Sequence, residues 1–241
     1  MKVAIVTGST KGVGKAIGKK LLEANCRVIF NYAHDDQAAN NLNEELDKKY
    51  RGRFLIVKSE LSSFESMEYF IDTIKEFTSS VDYILLNAGI TTKQPFSSIT
   101  KENWNSVINT NLTIPFFMVQ QLSNIINDEG RIIFIGSILG KYPHSISLPY
   151  GISKSAIPMM AKYLVKEFKN KNVTVNTITP GFVNTSWHMN KPIDLRTRIE
   201  SKIANGKFAE PEEVANLCMH VISNNYINGS EICIDGGYCF E

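Results

Sequence analysis

At 241 residues with 43% hydrophobic side chains, the chain is long enough to bury the core of one α/β domain without disulfides or a structural metal. Lys and Arg number 26 against 24 Asp and Glu; the resulting +2 gives no global electrostatic reason to expect nucleic acid or a membrane surface as a partner. Cys26, Cys218, Cys233 and Cys239 lack C-x-x-C spacing and are expected as reduced thiols, and His34, His144, His188 and His220 form no metal-ligand pattern.

Short β-branched runs at residues 3–6, 27–31, 54–58, 82–86, 131–135, 174–178 and 231–234 predict seven strands. The first is too short for a secretory signal, and no later run approaches a membrane span, so the cytoplasm is the expected compartment. Amphipathic segments starting near Val13, Asp36, Phe64, Asn103, Tyr150 and Pro211 predict helices between the strands. The alternation predicts a Rossmann-type, doubly wound, seven-stranded parallel sheet in a single domain over residues 1–241. Functional residues should then follow strand ends. The least regular stretch, residues 181–206, mixes Pro192 and polar residues with a short helical pattern from Asp194 to Ala204 and is expected to supply a mobile lid at 182–206.

The first strand runs into Thr7-Gly8-Ser9-Thr10-Lys11-Gly12-Val13-Gly14, after which Ala16, Ile17, Leu21 and Leu22 follow helical spacing. Such a turn lets the backbone approach a pyrophosphate while the next helix offers free N–H groups. Glycine clusters also end ordinary strands; the strand-turn-helix context is what points to a dinucleotide. The spacing G-x-x-x-G-x-G departs from G-x-G-x-x-G. It also fails as a triphosphate loop, because Lys15 is followed by Ala16 rather than Ser or Thr.

That turn, together with Asn87-Ala88-Gly89, Asn111, Ser137, Tyr150, Lys154 and Pro180-Gly181, resembles the short-chain dehydrogenase/reductase family over essentially the whole chain. Gly130-Arg131-Ile132-Ile133, Gly136-Ser137 and Asp235-Gly236-Gly237 most resemble its β-ketoacyl-acyl-carrier-protein reductase branch, which works in fatty-acid synthesis. The resemblance implies a catalytic set of Asn111, Ser137, Tyr150 and Lys154. It further implies nicotinamide cofactor contacts at Gly8, Thr10, Lys11, Gly12, Val13, Gly14, Asn31, Asn87, Ala88, Gly89, Tyr150, Lys154, Pro180, Gly181, Val183 and Thr185. Taken singly these signals are weak. A Tyr and Lys four apart also suits a solvated helix pair, and Ser137 could simply close a turn. Relatives pair as dimers or tetramers, and the stripe Ile157, Ala161, Leu164 and Phe168 with the tail Tyr238-Cys239-Phe240 is expected to form such a homo-oligomer contact.

Carbonyl reduction needs a proton for oxygen, and a tyrosine with an ordinary pKa of about 10 exchanges protons poorly near neutrality. Lys154, one helical turn on, is expected to lower the Tyr150 pKa, with Ser137 donating to the substrate oxygen. Pro115 lacks an N–H, so the carbonyl of Asn111 loses its helical donor and is expected to hold a water in a proton relay, unless the proline only kinks the helix.

An acidic residue ending strand two would favour NAD, but the strand ends Phe30-Asn31-Tyr32, and Asp35 and Asp36 look like a helix cap. With Lys11 resembling the basic position that meets the extra phosphate, NADPH or NADP is the expected coenzyme ahead of NAD. The substrate is expected to be a small carbonyl compound, with an acyl thioester among the candidates, although Asn127-Asp128-Glu129 would oppose an acidic carrier protein. Trp187, His188 and Met189 in the lid suit a sugar, steroid or small ketone equally, or plain packing. The alternatives are an NAD-dependent dehydrogenase of a sugar, steroid or small alcohol, and a non-catalytic sensor or scaffold that binds NADP(H). A serine hydrolase is excluded because Ile135-Gly136-Ser137-Ile138-Leu139 lacks both glycines of the G-x-S-x-G elbow.

Overall fold

In the computed structural model, which describes residues 1–143, 148–189 and 191–238, seven parallel strands form one sheet. They are β1 (Val3–Val6), β2 (Arg27–Tyr32), β3 (Phe54–Lys58), β4 (Val81–Leu86), β5 (Ile126–Ile135), β6 (Thr174–Pro180) and β7 (Glu231–Ile234), in the order β3-β2-β1-β4-β5-β6-β7. His144, Cys239 and Phe240 lie outside the described residues, as does the side chain of Met189. The chain winds outward from β1 to β3 and returns to place β4 on the other side of β1. The connections that follow β1 and β4 therefore leave on opposite faces of the sheet and open a crevice at the carboxyl ends of the two strands, the usual ligand position in such a sheet.

Helices α1 (Gly12–Glu23), α2 (Asp36–Tyr50) and α9 (Pro211–Ser223) cover one face of the sheet; α3 (Phe64–Phe77), α5 (Ile114–Leu122) and α6 (Leu148–Glu167) cover the other. Because strand side chains alternate, Val3 and Ile5 enter the core beneath α3 and α5, while Ala4 and Val6 enter the core beneath α1 and α9. That is why the first strand is apolar at every position. Among the described residues no helix is long and apolar enough to cross a membrane.

Two elements differ from expectation, and the helix expected at 194–204 ends early, at Glu200. Strand β5 begins at Ile126, ahead of polar Asn127-Asp128-Glu129, because Ile126 pairs with Val81 before the register shifts and Glu129 takes a φ of +61°. The helix expected near Asn103 is α4 (Lys101–Ile108), capped by Thr100, and it widens into a π turn at Asn109–Thr113 before α5. The irregular stretch after β6 contains α7 (Ser186–Met189) and α8 (Ile193–Glu200), tied down by a bridge between Val183 and Ala209.

The expected subunit contact is corrected. Ile157, Ala161, Leu164 and Phe168 are only 2%, 1%, 7% and 5% exposed, because their spacing turns them into the chain's own core against β5 and β6. Tyr238 likewise packs on Phe182, with ring centroids 5.1 Å apart. The outward side of α6 instead exposes Ile152, Met159 and Tyr163.

Helix α1 lies so close to β2 that a β-carbon on Gly18 would sit 2.1 Å from Cε1 of Phe30, a fully buried ring that cannot swing away. Gly18→Ala is expected to lose about 1–3 kcal/mol of stability by overpacking, although alanine is the better helix former. A lower urea midpoint at unchanged slope, partly restored by adding Phe30→Leu, checks this; a higher midpoint contradicts it.

Candidate active site

The glycine turn is locked to its neighbours by reciprocal hydrogen bonds. Thr7 Oγ1 accepts from the N–H groups of Asn87 and Ala88, both at 3.0 Å, while Asn87 Nδ2 donates to the carbonyls of Thr7 at 3.0 Å and Gly8 at 2.9 Å. A β-carbon on Gly8, whose φ is +59°, would meet Ala88 Cα at 2.9 Å, and one on Gly14 would meet the Gly8 carbonyl at 2.4 Å.

No side chain caps α1: Lys11 stands at its N-cap without a capping hydrogen bond. The first-turn N–H groups are left for an outside acceptor at the positive end of the helix, which suits a diphosphate. The crevice in front of them, ≈ 380 Å³, runs past Gly8, Thr10, Gly12 and Val13 to Tyr32–Asp35 on one side and to Asn87, Ala88, Gly89 and Thr185 on the other. Shape and donors fit a dinucleotide.

Asn31 lines this crevice, but its amide is committed to the protein: Oδ1 accepts from Gly8 N at 3.2 Å and Nδ2 donates to Ser59 O at 2.9 Å. Asn31 thus shapes the turn. Lys11 Nζ lies 2.9 Å from Asp35 Oδ2, and Asp35 caps α2 through Ala38 N. The Ala38 N–H, then Lys11, hold the Asp35 carboxyl below the usual carboxylate range.

Beyond the crevice, a cleft of ≈ 160 Å³ gathers Ser137 after β5, Tyr150 and Lys154 on α6, Pro180 at the end of β6, and Gly181, Val183 and Thr185 beyond it. Tyr150 and Ser137 are hydrogen-bonded through their side chains. Lys154 is buried, donates from Nζ to the Ile135 carbonyl at 2.7 Å and lies 5.7 Å from the Tyr150 ring centre. Burial pushes its ammonium down to about 8. The expectation that Lys154 lowers the Tyr150 pKa is corrected: burial pushes this phenol up, offset only in part by Ser137. Tyr150 therefore keeps its proton at neutral pH.

A model of the short chain dehydrogenase family matches residues 2–195. The chain belongs to that family. It is 33% identical to the 3-oxoacyl-[acyl-carrier-protein] reductase FabG of Aquifex aeolicus (strain VF5), over 98% of this chain and 96% of that protein. It is 30% identical to Glucose 1-dehydrogenase 2 of Bacillus subtilis (strain 168), over 98% and 94%. Among solved structures, the angucycline C-6 ketoreductase LanV with bound NADP is similar at a TM-score of 0.92 and 28% identity, covering 100% of this chain and 96% of that one.

In this short-chain dehydrogenase, Asn111 sits in the π turn, fully enclosed. Its Oδ1 accepts from Ile90 N at 2.8 Å, and its Nδ2 donates to Ile90 O at 2.9 Å and to Ser153 Oγ at 3.0 Å. Ser153 Oγ in turn donates to the Tyr150 carbonyl at 2.7 Å, so Asn111 supports the helix that carries Tyr150. Pro115 does more than kink the helix. With no donor there, the turn widens and Ile114 N–H bonds back to the Asn109 carbonyl. Gly14 and Asn111 line neither cleft; they act through packing and hydrogen bonds. Thr7 and Ser153 were not singled out from sequence; their signal was a polar residue beside a motif position on an element that must be buried.

Because Lys154 holds its proton less tightly folded than unfolded, the cost of burying its charge is fully present below about pH 8 and fades as pH rises towards the ordinary value of 10.5. The urea midpoint of the wild type is accordingly expected to climb relative to Lys154→Met between about pH 7 and about pH 10. A difference that stays flat across that range contradicts the buried, weakened ammonium.

Proposed function

We propose that the chain reduces a ketone to a secondary alcohol with NADPH, Tyr150 giving the proton to the carbonyl oxygen. The observation that carries this is the half-buried Tyr150, its phenol held protonated against Ser137 one helical turn from Lys154. A protonated donor suits reduction, in which the oxygen gains negative charge and must be neutralised. The coenzyme, when bound, supplies the hydride.

In this reading Ser137 orients the carbonyl oxygen and stabilises the charge that develops on it. Lys154 has a donor to spare beyond Ile135 and would hold the ribose hydroxyls while recharging Tyr150. Asn111, through Ser153, keeps the start of α6 in register with β5, and its backbone carbonyl, deprived of a donor at Pro115, would take a water in the proton path. Gly8, Thr10, Lys11, Gly12, Val13 and Gly14 would hold the diphosphate; Asn87, Ala88 and Gly89 the adenosine side; Pro180, Gly181, Val183 and Thr185 the nicotinamide amide. Residues 182–206 would close as a lid over a single catalytic domain. A homodimer or tetramer through the exposed α6 residues Ile152, Met159 and Tyr163 and a cytoplasmic location complete the proposal.

NADPH is favoured by Lys11 at the turn and by the bound NADP of the similar ketoreductase. A 3-oxoacyl thioester is a natural candidate substrate given the reductase relative, although Asn127-Asp128-Glu129 remain against carrier-protein docking. A second reading, NAD-dependent oxidation of a sugar, steroid or small alcohol, draws on the Lys11–Asp35 pair, which sets a carboxylate beside the ammonium. A purely sensory or scaffold role is opposed by the assembled Ser137, Tyr150 and Lys154.

Tyr150→Phe is expected to lose more than about tenfold in turnover while coenzyme binding, followed by fluorescence titration, changes little. Retention of most activity would remove Tyr150 from the chemistry. Lys11→Ala is expected to weaken NADPH binding far more than NADH binding at one fixed ionic strength, since only NADPH presents a phosphate to the ammonium. Equal weakening of both would support the NAD reading instead.

A further inference from the structure

The substrate end of the active site has an electrostatic character that carbonyl reduction alone does not require. A second cleft, ≈ 240 Å³, shares Leu139, Tyr150, Phe182, Trp187 and His188 with the catalytic cleft and extends beneath the lid. Four cations line it: Lys93 from the loop after β4, Lys191 just before α8, Arg198 on α8 and Lys202 beyond it. Among the described residues no lining residue is acidic.

Elsewhere on the surface the lysines around the cofactor turn are neutralised. Lys11, Lys15, Lys19 and Lys58 each meet a carboxylate within 2.9 Å. Among the described residues none of the four cleft cations forms an ion pair. Within α8, Glu200 is engaged by Arg196 at 2.9 Å rather than by Arg198. Unpaired cations gathered around an apolar floor focus a positive field into the cleft. Burial and then Lys93 push the Lys191 ammonium down, and burial, Lys191 and Lys93 bring His188 to about 4. Lys93 and Lys191, which line the same cleft, repel each other as like charges, and an anion bound there would relieve them.

We infer that the carbonyl substrate is an anion, an apolar body bearing a phosphate or carboxylate several bonds from the carbonyl, held by Lys93, Lys191, Arg198 and Lys202 while the carbonyl lies at Tyr150. Phe182, Trp187, Leu195 and Ile199 take the apolar body, and neutral His188, whose Nδ1 has no partner among the described residues, offers a further hydrogen bond. This rests on the carbonyl reduction proposed above and specifies its substrate class.

The test compares matched pairs with NADPH: acetoacetyl-coenzyme A against S-acetoacetyl-N-acetylcysteamine, the same reacting group without phosphates, and 4-oxopentanoate against its methyl ester. The wild type is expected to prefer the anionic member of at least one pair by about tenfold in kcat/KM, mainly through KM. The pair that shows it distinguishes phosphate from carboxylate. In the double variant Lys191→Gln/Arg198→Gln the anion-to-neutral ratio is expected to fall about tenfold. Indifference to charge in both pairs, or a ratio unaltered by the double variant, overturns the anion site. If no probe is reduced, the carbonyl-reduction reading fails, and the anion site is judged by titrating tryptophan fluorescence with coenzyme A and with 4-oxopentanoate. Binding weaker in the double variant upholds it, and equal or absent binding overturns it.

Discussion

The whole site hangs on one hydroxyl. Thr7 Oγ1, at the end of β1, accepts the two successive N–H groups of Asn87 and Ala88 at the end of β4, and Asn87 returns two hydrogen bonds to the turn. These ends flank the point where the strand order reverses; the backbone ladder closes with Thr7 N–H donating to the Leu85 carbonyl at 3.1 Å, and just beyond it side chains take over the separation. A fully buried N–H left without an acceptor costs about 1–3 kcal/mol, and these two part-buried groups would each incur some of that. Through this clasp Gly8 reaches Ala88, Gly14 reaches the Gly8 carbonyl, and the N-terminus of α1 is aimed into the crevice.

Desolvation then sets the protonation states at the far end. The same burial that raises the Tyr150 phenol lowers the Lys154 ammonium, since it penalises whichever form is charged. With the two groups pushed towards neutrality together, the pair is suited to give a proton to a carbonyl oxygen rather than to hold a phenolate. The supports are rigid: Lys154 is fixed by the Ile135 carbonyl, and Tyr150 by Ser137 at its side chain and by Ser153 and Asn111 at its backbone. Positioning by packed, hydrogen-bonded neighbours of this kind is what the proposed chemistry demands.

The order and period of the strands were legible because a sheet buried on both faces writes itself as apolar runs, and the glycine turn was legible because only glycine meets its contacts. Local signals failed where distant ones decide. Strand β5 extends over polar residues because Val81 is waiting for Ile126, and the π turn at Asn109–Thr113 combines Pro115 with a side chain that must reach Ile90. The α6 stripe reads the same whether it meets another subunit or its own core; only the neighbouring strands settle that it is core. Asn31 looked like a coenzyme selector from its place at a strand end, yet its amide serves Gly8 and Ser59. The direction of the Tyr150 shift was missed for a similar reason, since four-residue spacing shows that a lysine is near but not where its ammonium is directed.

The central claim is that the two hydrogens added to a ketone arrive by separate routes, one from the coenzyme to carbon and one through Tyr150 to oxygen. Reduction of a ketone by the wild-type protein with NADPH carrying deuterium at the transferable position, in ordinary water, tests it most directly. Mass spectrometry of the alcohol should find the deuterium on the carbinol carbon, and unlabelled NADPH in deuterium oxide should leave that carbon unlabelled. A carbinol hydrogen drawn from solvent, or coenzyme that is bound but never oxidised in the presence of any ketone, would contradict the account.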